Sequence, residues 1–152
     1  AMFNRQLDQS VREARRNGKA LTVMLLDMDR FKTINDTLGH PVGDQALSIV
    51  ANTLKIAARS FDLVGRWGGE EFLAILVNVS DRKLGVIAER FRVLVESSRL
   101  PLSAGDGRLT VSIGATLADP RDTVEELVAR ADALMYESKQ AGRNRVTVGS
   151  RD

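Results

Sequence analysis

Two short acidic runs, Asp27-Met28-Asp29 and Glu70-Glu71, combine residue types and spacing that could do chemistry. The first closes an apolar run from Leu21 to Asp27. The second follows Gly68-Gly69 between two short apolar segments. If the first run is a strand lying beside a hairpin made by the other two, the acids meet at one sheet edge. Hard divalent cations take oxygen ligands, and magnesium typically uses one or two carboxylates plus substrate phosphates. Two metal ions a few ångströms apart suit in-line displacement at phosphorus. The plainer alternative is a set of solvated acids at turns and strand ends. Gly68 and Gly69 fit a tight hairpin turn with positive φ, or a place where backbone comes close to a ligand. A helix beginning just after Asp29 would offer free N–H groups to phosphate, with Lys32 as a fixed positive charge beside them.

These residues need a frame. Residues 4–17 carry Leu7, Val11 and Ala14 at three- and four-residue spacing, an amphipathic helix that Asn17-Gly18 breaks. Leu21 to Asp27 reads as a buried strand, and Phe31 to Leu38 as a short helix stopped at Gly39. Gly39-His40-Pro41-Val42-Gly43 reads as a loop, and Asp44 as the N-cap of a helix ending near Arg59. Asp62 to Trp67 and Phe72 to Val77 are the hairpin strands. Asp81 caps a helix bearing Leu84, Ala88, Phe91 and Val95. Leu109 to Leu117, entered through Gly105-Asp106-Gly107, is a further strand. Thr123-Val124-Glu125-Glu126 is a capping box opening a helix that Gly142 stops, with Val146-Thr147-Val148 as a last strand. From the first strand onward the order is β-α-α-β-β-α-β-α-β. It predicts an α+β domain with a mostly antiparallel central sheet flanked by helices, related to the ferredoxin-like arrangement.

Bulk properties agree. The 152 residues suit one domain, 1–152, with no linker, repeat or low-complexity tract. Apolar residues make up 43% and charged residues 28%, and the absence of cysteine excludes disulfides and thiolate metal sites. A net charge of +2 gives no electrostatic argument for nucleic acid. Apolar runs such as Val23 to Leu26 fall far short of the ~20 residues of a membrane span, so no membrane contact is expected of this segment. The abrupt start at Ala1-Met2 reads as a domain excised from a longer multidomain protein.

Taken together, the chain resembles the GGDEF family of diguanylate cyclases. The signature stands as Gly68-Gly69-Glu70-Glu71-Phe72, with glutamate in third place. It is accompanied by the runs Asp27 to Asp36, Gly39 to Asp44, Asp132 to Tyr136 and Lys139 to Asn144, so the match spans residues 4–148. An Asp-X-Leu-Thr-Gly-Leu run expected before Asn4-Arg5 is absent. The resemblance implies condensation of two GTP into cyclic di-GMP and two pyrophosphates by a homodimer in the cytoplasm. It implies Mg2+ or Mn2+, two per site, held by Asp27, the Met28 carbonyl and Glu70. Glu70 is the usual acceptor of the 3′-hydroxyl proton, but coordination lowers its basicity; Glu71 and direct acidification by the metal are the alternatives. Asn35 and Asp44 would recognise guanine, since an amide and a carboxylate complement its edge and mismatch adenine's. Lys32, Lys139 and Arg143 would hold the triphosphate, and Phe31, Gly68 and Gly69 complete the substrate-binding set. His40, the single histidine, joins that set or makes a structural hydrogen bond beside Pro41.

Arg59-Ser60-Phe61-Asp62 ends five residues before Gly68. In the family, Arg-X-X-Asp at this spacing is an inhibitory product site, with Arg90 as a further contact. Arginine can stack on guanine and grip phosphate while aspartate takes guanine's donors. The rival reading of the chain is a catalytically weak GTP- or cyclic di-GMP-binding regulatory module of the same fold.

Overall fold

Strand β1 (Leu21–Met28) is buried along its whole length because helices cover both faces of the sheet it centres. The strand period of two splits its side chains between two cores. Met24, Leu26 and Met28 join one; Val23 and Leu25 join the other. The computed structural model describes residues 2–102 and 105–149. Around β1 the chain adds α1 (Met2–Asn17), α2 (Phe31–Leu38), α3 (His40–Ala57), β2 (Leu63–Arg66), β3 (Glu71–Val77) and α4 (Asp81–Ser97). It continues with β4 (Arg99–Leu102), β5 (Gly105–Arg108), β6 (Val111–Leu117), α5 (Val124–Gln140) and β7 (Val146–Gly149).

The main sheet runs β2-β3-β1-β6-β7; only β6–β7 is parallel, and β4–β5 is a separate hairpin. The mostly antiparallel α+β architecture expected from the sequence is therefore observed. Helices α3 and α4 pack one face through Val50, Leu54, Ala88 and Phe91, while α1 and α5 cover the other through Leu7, Val11, Leu127 and Met135. Gly114 on β6 allows the close approach of α5, because a Cβ there would overlap the backbone of Ala131 and Met135. The Thr123 capping box forms, with reciprocal bonds of 3.1 and 3.0 Å to Glu126.

Several local expectations are corrected. Residues 39–43 are not a loop: α3 begins at His40, with Gly39 (φ 92°) as N-cap. Pro41 starts this helix because a first-turn residue needs no N–H partner and proline's φ suits it. Asp44 therefore lies inside the helix, exposed, and is not its cap. Ser80, not Asp81, is the N-cap of α4. Gly105-Asp106-Gly107 belongs to β5 of a hairpin absent from the sequence reading. Gly68 and Gly69 do not have positive φ. Their wide turn is closed by Trp67 N–H to Glu71 O (2.8 Å) and by Arg66 Nε to Gly69 O (3.0 Å), so no left-handed residue is required.

Candidate active site

Alternation along β1 and β3 decides where the acids go. Asp27 and Glu71 are direct cross-strand partners, on the same face as Val23, Leu25, Leu73 and Ile75, beneath α5. Lys139, in the last turn of α5, reaches down and ion-pairs with Asp27. Glu70 sits one residue earlier, in the turn, where its carbonyl accepts from Met28 N–H (3.2 Å). The two acidic runs thus meet at one sheet edge, as the sequence requires if β1 lies beside the hairpin.

The edge is electrostatically uncomfortable. Asp27 is 3% exposed, and burial pushes its carboxyl above the usual range although Lys139 pulls it down; Glu70 and Asp29 push the same way as burial. Glu71 is also pushed up, first by burial and then by the charges of Asp27 and Asp132. Desolvated carboxylates near one another favour the protonated form, or a cation. Among the described residues, no three His, Cys, Asp or Glu side chains form a ready-made metal cage. Two carboxylates and a carbonyl match what magnesium asks of a protein when phosphates complete its shell.

Asp29 has a different job. Its carboxylate accepts from Thr110 Oγ1 (2.7 Å), Ser112 Oγ (2.6 Å) and the Asn144 backbone N–H (2.9 Å). It clamps the end of β1 to β6 and to the segment after α5. Just beyond it Arg30 is left-handed (φ 57°), and α2 opens with no side-chain cap. Phe31, at the helix start, packs partly into the core, and Lys32 is exposed.

Asn35 is half-buried against α3. A Cβ at Gly43 would collide with its Oδ1, so glycine there is what admits the amide next to Asp44. His40 and Asp44 are exposed on the opening turns of α3. Arg143 is exposed and left-handed (φ 66°), in the loop that ends α5. Arg30, Arg108, Arg143 and Asn144 line a cleft of about 530 Å³ behind α2; neither Asp27 nor Glu70 borders it.

Arg59 and Asp62 close on each other. Arg59 Nε and Nη2 bind the two Asp62 carboxylate oxygens at 2.8 and 2.9 Å, and Nη2 also donates to Val77 O (2.9 Å). The guanidinium lies 4.5 Å from the Phe61 ring centre, and Phe61 is 57% exposed. Arg90 is exposed on α4, with no ion pair to Asp62 among the described residues. Sequence reasoning missed Thr110 and Ser112, and gave Asp132 no role beyond the family run it opens. The polar alternation Thr110-Val111-Ser112 was a visible signal, but its partner Asp29 lies 81 residues from Thr110.

A five-stranded sheet with this order, carrying facing acids at a glycine turn, defines the class. Residues 1–145 match the model of "Diguanylate cyclase, GGDEF domain", and the chain belongs to that family. It is 40% identical over 143 residues to diguanylate cyclase DgcZ of Escherichia coli K12, covering 93% of this chain and 48% of that protein. It is 41% identical over 146 residues to the response regulator PleD of Caulobacter vibrioides, covering 93% and 32%. The chain thus spans less than half the length of these curated relatives. Among solved structures, the GGDEF domain of DgcB from Caulobacter crescentus, in complex with c-di-GMP, superposes with a TM-score of 0.90 at 37% identity, covering 96% of this chain and 87% of that one.

Proposed function

We propose that residues 1–152 are one catalytic domain that condenses two GTP into cyclic di-GMP and two pyrophosphates. The observation that carries this reading is the carboxylate edge of Asp27 and Glu71, with Glu70 in the adjoining turn and Lys139 above. Relatives named as diguanylate cyclases support it.

The residues fit divalent magnesium or manganese: the donors are hard oxygens, and the buried carboxylates are short of positive charge. Asp27, the Met28 carbonyl and Glu70 would hold it, two ions per site. Bound there, it would lower the pKa of the attacking hydroxyl and neutralise charge at phosphorus. The chain's own groups do the rest. The exposed turn at Gly68 and Gly69, with nothing within 4 Å of either would-be Cβ, leaves room for substrate to approach the protein backbone. Asn35 and Asp44 choose guanine over adenine by matching its donors and acceptors. The uncapped start of α2, behind Phe31, and the cations Lys32, Lys139 and Arg143 take the triphosphate and stabilise the departing pyrophosphate. His40, exposed on the opening turn of α3, is a further substrate contact in this reading. Glu70 or Glu71 accepts the 3′-hydroxyl proton as that oxygen bonds to the α-phosphorus of the other GTP and the bond to pyrophosphate breaks. Two such steps close the ring, so two domains must face each other as a homodimer. GTP as substrate suits a cytoplasmic location.

The Arg59–Asp62 pair is read as the product-inhibition site, with Arg90 as a further contact. Asp62 already has Arg59 as its partner, so guanine must displace the guanidinium to reach it.

The test is incubation with GTP and Mg2+, with products identified by mass. Cyclic di-GMP is expected from the wild type, with the yield from Glu70→Ala lowered by about 100-fold or more. GTP binding without any product would establish the regulatory-module reading instead. Activity is expected to rise steeply with protein concentration, since each active unit takes two copies of the chain.

A further inference from the structure

Asn144 is the meeting point of three elements. Its backbone N–H donates to Asp29 Oδ2 at 2.9 Å, next to the carboxylate edge. Its side-chain Oδ1 accepts from Arg92 Nη1 at 2.9 Å, and its Nδ2 donates to Glu96 Oε2 at 2.5 Å, both on α4. Arg92 and Glu96 are themselves anchored. Arg92 also binds Glu89, and Glu96 takes Arg108 of β5 at 2.6 Å. The Asn144 amide therefore spends both of its ends on one helix while its main chain holds another part of the protein.

The backbone explains why something must hold it. Gly142, Arg143 and Asn144 run consecutively with φ of 124°, 66° and 46°. A left-handed residue other than glycine costs roughly 1 kcal/mol, and asparagine tolerates it best. Arg143 has no such tolerance, so its conformation is imposed by its neighbours. The segment Lys139–Asn144 carries both Lys139, paired with Asp27, and Arg143. Asp29, at the other end of the clamp, immediately precedes the uncapped start of α2.

We infer that Asn144 is a positioning residue: pinned by Arg92 and Glu96, it fixes the strained segment that presents Arg143 and Lys139, and the Asp29 corner, to the triphosphate. It touches no substrate and acts through Arg143 and Asp29. The inference rests on the GTP reading given above for what is positioned. The clamp itself can be measured without GTP.

Three variants test it. Asn144→Gly keeps the left-handed backbone and removes the amide. Arg92→Ala removes one of its two anchors on α4. The double variant closes a cycle. Hydrogen exchange of the Asn144 amide, protected by Asp29, should speed up in both single variants, with the double no faster than Asn144→Gly alone. Because Lys139 and Arg143 grip the triphosphate in the ground state and the transition state alike, loosening them should raise KM for GTP on the order of tenfold in each single variant. The KM effects should be non-additive, as expected for residues in one network. The concentration of GTP needed should change while kcat stays within about threefold, a split that a general loss of folding would not give. Arg92→Lys, which keeps the charge without the planar fork, should rescue only part of the effect. Unchanged Asn144 exchange in Arg92→Ala, or KM effects that simply add, overturns the inference. A wild type that yields no cyclic di-GMP overturns the GTP reading, while the exchange measurement still decides whether the clamp exists.

Discussion

Two clusters of charged side chains lie on the α5 side of the sheet, and they are in opposite condition. Where β6 meets the start of α5, Asp122 receives Arg130 on both oxygens, at 3.1 and 2.6 Å, plus the Asp119 N–H at 2.7 Å. Arg130 also donates to Thr116 and Leu117 of β6. Its guanidinium holds the Asp122 carboxyl below the usual range. At the other end, Asp27 and Glu71 share burial and mutual repulsion with only Lys139 to offset them, and both are pushed up. The first arrangement satisfies every charge and serves the fold. The second leaves negative charge unmet, which costs stability and leaves a place for a cation.

The contrast can be broken most severely at the edge. Glu70→Ala should lower turnover by about 100- to 1000-fold, the scale of losing one preorganised electrostatic partner, with the fold intact by circular dichroism. Retained turnover would make the edge merely structural.

Asp122→Asn should act the other way, on stability alone. Weakening a charged hydrogen-bonded pair costs about 2 kcal/mol, or about 5 °C in Tm for a chain of this size. The pH signs also oppose. The Asp122 carboxyl is depressed in the fold, so its stabilisation is full above the unfolded value and fades as pH falls through the folded one. Asp27 and Glu71 are raised. The folded state then binds more protons than the unfolded, and stability falls as pH climbs from the unfolded value through the folded ones. Urea titrations between acid and neutral pH should therefore show both Asp122→Asn and Glu71→Gln departing from wild type at the neutral end, the first less stable and the second more stable.

Smaller effects sharpen the comparison. Glu71→Gln should raise Tm at neutral pH by about 2 °C, because it removes a charge that repels its neighbours. Adding Mg2+ should raise the wild-type Tm by a similar margin through linkage and leave Asp27→Asn unmoved. A rise of equal size in that variant would place the cation elsewhere.

Much of this was legible in the order of residues. The continuous apolar runs of the strands, the capping box at Thr123 and the family motifs are local patterns, and the sheet and its acids followed from them. Pro41 was misread because its local meaning depends on which side of a helix start it stands. The β4–β5 hairpin was missed because Arg99–Leu102 and Gly105–Arg108 are too short and mixed to signal strands before they pair. By itself, the sequence determined the class of fold, the family and the residues available for chemistry, since these rest on periodicity and motif. Only the tertiary structure decided how the acids divide their work. Asp27 and Glu71 stand opposite each other through strand register, Asp29 is consumed by Thr110, Ser112 and Asn144, and Arg59 closes on Asp62. Charge and hydrogen bonding act through space, and partners more than 80 residues apart become neighbours only when the sheet is assembled.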